Sequence, residues 1–234
     1  MDNILEVKNL SKHYGKFQAL KGVNLDIPRG KIVGVLGPNG SGKTTLIKTI
    51  MGLLNDYDGD VHIMGKKPGH TANAHISYLP DKSHIPTWFT VNQAIKFFSE
   101  YYNDFDKAHA QAMLESMKIP LRNKLSALSR GMQEKVQLSL VMSRRASLYV
   151  LDEPIGAVDP ASREFIIETI LKNFPETGSI LLSTHIIADI ESILDVAIFL
   201  KEGEIVMNDD VDKIREEQNA SLDGLFREVF RNVY

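Results

Sequence analysis

The spacing of apolar and polar positions changes character several times along the chain. Val23, Leu25 and Ile27 alternate with Asn24 and Asp26, the two-residue period of a strand with one wet face. Ile4 to Val7 and Gln18 to Leu20 read similarly, and such half-exposed strands pair antiparallel. Ile32 to Leu36, Leu148 to Leu151, Ile180 to Leu182 and Val196 to Leu200 are instead short unbroken apolar runs. Runs of that kind suit strands covered on both faces, as in a parallel α/β core. Thr44 to Gly52, Pro160 to Asn173 and Ala188 to Leu194 have helical spacing and are predicted to be the crossover helices. Between about Thr90 and Arg145 the strand signal fades, and Val91 to Tyr102, Asp106 to Met117 and Ser129 to Ser143 read as helices. The expectation is one domain over residues 1–234: a core with its β subdomain from about 1–84 and 146–234, and an inserted helical subdomain over about 85–145. A hairpin at Glu202-Gly203 is expected to lead into Ile205 to Met207. Leu222, Leu225, Phe226, Val229, Phe230 and Val233 then form a helical stripe that either docks a partner or packs on the chain's own core, the second being the reading adopted.

Composition narrows the function classes. With 43% apolar and 24% charged residues among 234, this is an ordinary globular chain. The absence of Cys excludes a disulfide scaffold, a Cys-ligated zinc site and thiol catalysis. Lys plus Arg number 27 against 30 Asp plus Glu, so no basic footprint for nucleic acid exists. The start, Met1-Asp2-Asn3-Ile4-Leu5-Glu6, lacks a basic region followed by an apolar run, so export is not expected, and no stretch approaches the roughly 18 apolar residues of a membrane span. A membrane role therefore has to come through a partner chain.

The sharpest chemical signal is Gly37-Pro38-Asn39-Gly40-Ser41-Gly42-Lys43-Thr44, placed between a buried strand and a helix. Its glycines let successive backbone N–H groups face a phosphate, the helix N-terminus adds its dipole, Lys43 reaches the outer phosphates and Thr44 ligates magnesium. Thr45 is counted with this cradle. Chance would produce the pattern in a chain of this length about one time in a hundred, so the motif is read as a P-loop. Leu148 to Leu151 runs into Asp152-Glu153, and in an open parallel sheet ligands sit beyond the carboxyl ends of the strands. Asp152 is the candidate magnesium ligand. Glu153, one residue further, is the candidate general base toward a water attacking the terminal phosphate. His185 lies at the same sheet edge, beyond Ile180 to Leu182.

Taken in order, these motifs resemble the ATP-binding cassette of ABC transporters over essentially the whole chain. Leu128-Ser129-Arg130-Gly131-Met132-Gln133 resembles the family signature Leu-Ser-Gly-Gly-Gln. The resemblance implies that Ser129 and Gly131 complete the ATP site of a second subunit, that Tyr14 stacks on adenine, and that His185 contacts the terminal phosphate. Gly156-Ala157-Val158-Asp159 resembles the loop that couples the two sites of the dimer. Two features depart from the pattern: Arg130 and Met132 replace a glycine and the glutamine of the signature, and Asp81 stands where the family carries Gln or Glu near magnesium. Arg130 is read as a solvated helix residue, and Asp81 as an oxygen ligand of magnesium or its water shell. The apolar Ile85 to Phe89 is expected near the surface that meets a membrane partner.

The implied fold class is α/β, a P-loop NTPase core with a mostly parallel sheet, an N-terminal antiparallel β subdomain and an inserted helical subdomain. The implied function is an ATP-hydrolysing subunit using ATP and Mg2+, a homodimer or heterodimer on the cytoplasmic face of the membrane beside separate transmembrane permease subunits, with a leaning toward bacterial drug and peptide exporters. The alternative is a non-transport ATPase of the same family acting on nucleic acid or ribosomes, whose usual coiled coils, zinc insertions or paired cassettes are missing here. A GTPase would need Asn-Lys-x-Asp, and Asn123-Lys124-Leu125-Ser126 lacks the Asp.

Overall fold

The computed structural model describes residues 3–156, 158–175 and 178–231. Ala157 of the expected coupling loop and Val233 of the expected tail stripe lie outside them. The order is β1 (Asn3–Tyr14), β2 (Phe17–Pro28), β3 (Ile32–Leu36), α1 (Lys43–Ile50), β4 (Asp58–Ile63), α2 (His70–Asn73) and β5 (Ile76–Leu79). Then come α3 (Val91–Tyr101), α4 (Lys107–Ser116), α5 (Arg130–Met142), β6 (Leu148–Asp152), α6 (Pro160–Lys172) and β7 (Ser179–Thr184). The chain closes with β8 (Val196–Lys201), β9 (Glu204–Asp210), α7 (Val211–Gln218) and α8 (Leu222–Val229). One sheet has the antiparallel order β2-β1-β4; the other runs β5-β6-β7-β3-β8-β9, parallel except for β9.

The unbroken apolar runs are explained by two cores, one on each face of the larger sheet. Val33 and Val35 of β3, Val150 of β6 and Ile198 of β8 turn toward α1 and the smaller sheet, where Leu46, Ile47 and Ile50 pack. Their neighbours Leu36, Tyr149, Leu151 and Phe199 turn to the opposite face, where α6 and α8 pack. The tail stripe lies on that face: Phe226 and Phe230 meet Phe199 with ring centroids 5.6 and 6.0 Å away, so it is covered by the chain's own core. The expected hairpin is present, Glu202 and Gly203 both taking positive φ (50° and 84°).

A third core belongs to the helices between β5 and β6. Val91, Ile95 and Phe98 of α3 meet Leu114 of α4 and Val136 and Leu140 of α5. Sequence caps set their ends: Thr90 forms a capping box with Gln93, Asp106 accepts from His109 N–H, and Ser129 accepts from Met132 N–H. Because Leu138, Val141 and Met142 of α5 face the sheet instead, α5 belongs to both cores.

One expectation is corrected. Ala188 to Leu194 is a series of turns in which Ile187 O accepts from Ile190 and Glu191 N–H, and no helix forms there. The spacing of Ile187, Ile190 and Leu194 marks their burial, which turns achieve as well as a helix. Asp189 is held by Arg163 at 2.9 Å and Glu191 accepts from Asp223 N–H, so side-chain anchors set the path. β4, β5, α2 and α7 arise where no element was read, because each is short or carries few buried positions. Among the described residues no helix is long and apolar enough to cross a membrane.

Arg144, just after α5, ties the helical core to the sheet. Buried beneath the Tyr102 ring, it makes two 3.0 Å bonds to Asp104 and donates to the carbonyls of Ala74 and Ile76 at the start of β5. Removing it strands a carboxylate and two carbonyls. Arg144→Met is expected to lower unfolding free energy by about 3 kcal/mol in urea titrations; a loss under about 1 kcal/mol would make the pair no more than a surface ion pair.

Candidate active site

The carboxyl ends of β6, β7 and β3 are neighbours, with Asp152 opposite Ser183 and Leu36 opposite Thr184. The polar loops that follow therefore converge. After β3 the chain turns back within van der Waals reach of β8: a Cβ on Gly37 would lie 2.4 Å from Leu200 O and 2.5 Å from Ser41 Oγ, so only glycine fits. Gly42, at φ 111°, is the N-cap of α1, a left-handed conformation that disfavours a side chain. No side chain caps α1 and its first turn holds no acid, which leaves backbone N–H groups and the positive dipole end facing the loop.

Lys43 is buried in this loop. Its ammonium donates to the carbonyls of Gly37 at 2.8 Å and Pro38 at 3.2 Å, and lies 3.1 Å from Glu153 Oε1. Those acceptors use all three of its protons, so a phosphate entering the loop competes with Glu153 for the charge. The second oxygen of Glu153 is 2.9 Å from Nδ1 of His185. Glu153 itself takes φ 52°, a strained value for this residue type, and its N–H is held by both the carbonyl (3.0 Å) and the hydroxyl (3.1 Å) of Ser183.

Asp152 is buried and only half satisfied. Oδ1 accepts from Ser183 Oγ at 2.6 Å and Thr44 Oγ1 at 3.4 Å, whereas Oδ2 has no partner. Burial pushes its carboxyl above the usual range, the charges of Glu153 and Asp81 add to this, and the bonds from Ser183 and Thr44 oppose it. An unpartnered buried carboxylate oxygen beside a hydroxyl fits a divalent cation. Among the described residues no three His, Asp or Glu side chains are grouped to hold a metal alone. Such a donor set fits magnesium, which takes one or two protein oxygens and completes its shell with water and phosphate oxygens. Ser41 Oγ, also buried without a partner, gives the cradle a further free hydroxyl.

A cleft of about 530 Å³ gathers most of the sequence-predicted residues: Tyr14, Asn39, Gly40, Gly42, Lys43, Thr44, Thr45, Asp81, Glu153 and His185 all line it. Gly37, Pro38, Ser41 and Asp152 are absent from its wall. The first three shape the loop behind Lys43, and Asp152 borders an adjoining cleft of about 220 Å³ with Asp81, Glu153 and Arg130. Arg130 is exposed and pairs with Glu134 at 3.2 Å. Ser129 and Gly131 line neither cleft. Gly156 of the expected coupling loop also lines the larger cleft; sequence reasoning missed Phe17 and Ala19, which line it too, and Ser183, which supports it. Phe17 was signalled by its place opposite Tyr14 across the Gly15 turn, and Ser183 by a hydroxyl in a strand otherwise built for burial.

Residues 20–156, more than half of the chain, match the family model described as ABC transporter. The chain belongs to this family. The ABC transporter ATP-binding protein YtrB of Bacillus subtilis (strain 168) is 30% identical over 217 residues, covering 92% of this chain and 74% of the relative. The bacitracin transport ATP-binding protein BcrA of Enterococcus faecalis is 30% identical over 212 residues, 88% of this chain and 69% of the relative. A solved ATP-binding subunit of an ABC transporter superposes with a TM-score of 0.85 at 28% identity, covering 96% of this chain and 98% of that one. The α/β cassette fold, with its antiparallel N-terminal sheet and mostly parallel second sheet, is therefore the fold of this ABC transporter ATP-binding chain, and its family binds nucleotide and consists of ATPases.

Asp81 borders both clefts of the cassette, exposed and close enough to Asp152 to raise its carboxyl. Asp81→Ala is expected to raise the magnesium concentration for half-maximal hydrolysis about tenfold, the usual effect of losing an outer-shell partner. Binding of a fluorescent nucleotide in EDTA should stay near wild type. Equal changes in both measurements would reduce Asp81 to a loop residue.

Proposed function

We propose that the chain is the ATP-hydrolysing subunit of a transporter whose membrane-spanning subunits are separate chains, acting as a homodimer or heterodimer on the cytoplasmic face of the membrane. One observation carries this reading: the phosphate loop, the half-satisfied Asp152 and the Glu153–His185 pair meet at one sheet edge, while Ser129 and Gly131 stand apart on α5. A site so divided is suited to completion by a second cassette. The transport names of the bacitracin relative and of the family support the coupling.

In this reading Tyr14, about half exposed at the rim, stacks on adenine, and the backbone N–H groups of Asn39 to Thr45 with Lys43 hold the outer phosphates. Thr44 and Asp152, with Asp81 beside them, hold Mg2+, which neutralises charge on the phosphate oxygens when bound. A phosphate that takes over Lys43 frees one oxygen of Glu153, which then accepts the proton of the attacking water. His185, on the other oxygen, keeps that carboxylate aimed at the cleft. The helices of about 85–145, with a core of their own, act as a subdomain that carries Ser129 and Gly131. Trp88, 69% exposed, packs edge-on against Phe89 and gives that subdomain an aromatic surface for the membrane partner.

Glu153→Gln tests the general base. The variant should bind ATP as wild type does and hydrolyse it about 10² to 10⁴ times more slowly. Undiminished hydrolysis, followed by phosphate release, sinks the assignment.

Mixed dimers test the divided site. Lys43→Ala removes the phosphate cation, and Gly131→Asp sets a carboxylate against the terminal phosphate. The second change fits the fold, since a Cβ at Gly131 meets nothing closer than Ser162 Oγ at 3.5 Å. Each variant alone has two broken sites, whereas a mixed dimer keeps one intact. Co-refolding should restore binding of one ATP per mixed dimer and part of the hydrolysis. If crosslinking shows mixed dimers and neither returns, the Ser129 segment is an ordinary helix cap.

A further inference from the structure

We propose that Ser183 is a positioning residue that aims the metal ligand Asp152 and the base Glu153 from a single hydroxyl. This rests on the reading above that Asp152 holds a divalent cation beside bound nucleotide. Ser183 has no solvent exposure and sits opposite Asp152 in the β6–β7 ladder. Its one proton goes to Asp152 Oδ1 at 2.6 Å, a short charge-assisted bond, and its oxygen accepts from Glu153 N–H at 3.1 Å. The hydroxyl is thus fixed in direction by both neighbours.

Two consequences follow from that geometry. With Oδ1 fastened to Ser183, the Asp152 carboxylate cannot turn, and Oδ2 is the oxygen left unpartnered for a cation. The remaining bond to Oδ1, from Thr44, is 3.4 Å long and cannot fix the rotamer alone. The same hydroxyl helps hold the Glu153 backbone at φ 52°, the conformation in which its side chain reaches both Lys43 and His185. Asp152 and Glu153 are thereby both referenced to one buried residue, Ser183, whose hydroxyl touches each and whose carbonyl also accepts from Glu153 N–H at 3.0 Å.

The test uses the purified full chain with a non-hydrolysable ATP analogue and Mn2+ as the spectroscopic probe, read by electron paramagnetic resonance. Ser183→Ala should weaken Mn2+ in the nucleotide complex about 10- to 100-fold, as loss of an outer-shell partner does. Affinity for the analogue in EDTA should stay within about twofold of wild type, since no contact to nucleotide is removed. Ser183→Thr restores the hydroxyl and should restore the metal; if its extra methyl group prevents folding, Ser183→Cys, similar in size and a weak donor, should fall between wild type and Ala. Unchanged Mn2+ affinity in Ser183→Ala overturns the role of Ser183 alone. An equal loss of metal-free binding shows a merely structural residue and overturns it too. Wild-type protein that binds the analogue but no Mn2+ overturns the metal reading and this assignment with it.

Discussion

The parallel register of β6, β7 and β3 is the constraint on which the molecule depends. Because Asp152 pairs with Ser183 and Leu36 with Thr184, three strands end level, and the loops that leave them share one edge. Strands joined in parallel need crossovers over the sheet faces, and these faces must then be apolar on both sides. That demand accounts for the two cores, for alternate side chains of β3, β6 and β8 turning to opposite clusters, and for α1 starting where the phosphate loop ends.

At that edge the charges satisfy one another unequally. Lys43 spends its three protons on Gly37, Pro38 and Glu153, while Asp152, deeper in the fold, has one oxygen bonded and the other bare. Desolvation makes the second arrangement costly unless a cation arrives. The site is therefore left unsatisfied at Asp152 Oδ2 and Ser41 Oγ, and the strained backbone of Glu153 is held against relaxation by Ser183 and the Gly156 N–H.

The helix α5 links this edge to the rest of the molecule. It buries residues against the sheet and against α3 and α4, and Arg144 after it clamps the start of β5. The helical core is thus fastened to β5, the strand that precedes Asp81 and pairs with β6, and Asp81 and Asp152 lie in one adjoining cleft with Arg130 of α5.

Much of this was determined by the sequence alone. Unbroken apolar runs distinguish β3, β6, β7 and β8 from the half-wet N-terminal strands, and Thr90, Asp106, Ser129 and Asp159 mark helix starts because each cap side chain binds backbone a few residues on. The phosphate loop is equally plain, since its chemistry is carried by contiguous residues. Tertiary structure alone decided what depends on distant segments meeting. The turns of Ala188 to Ile193, the short edge strand β5, the Glu153–His185 contact and the shared hydroxyl of Ser183 are all held by partners 26 to 70 positions away in the chain. Periodicity records whether a position is buried, but which polar atom is left bare in that burial is fixed only when the strands are laid side by side.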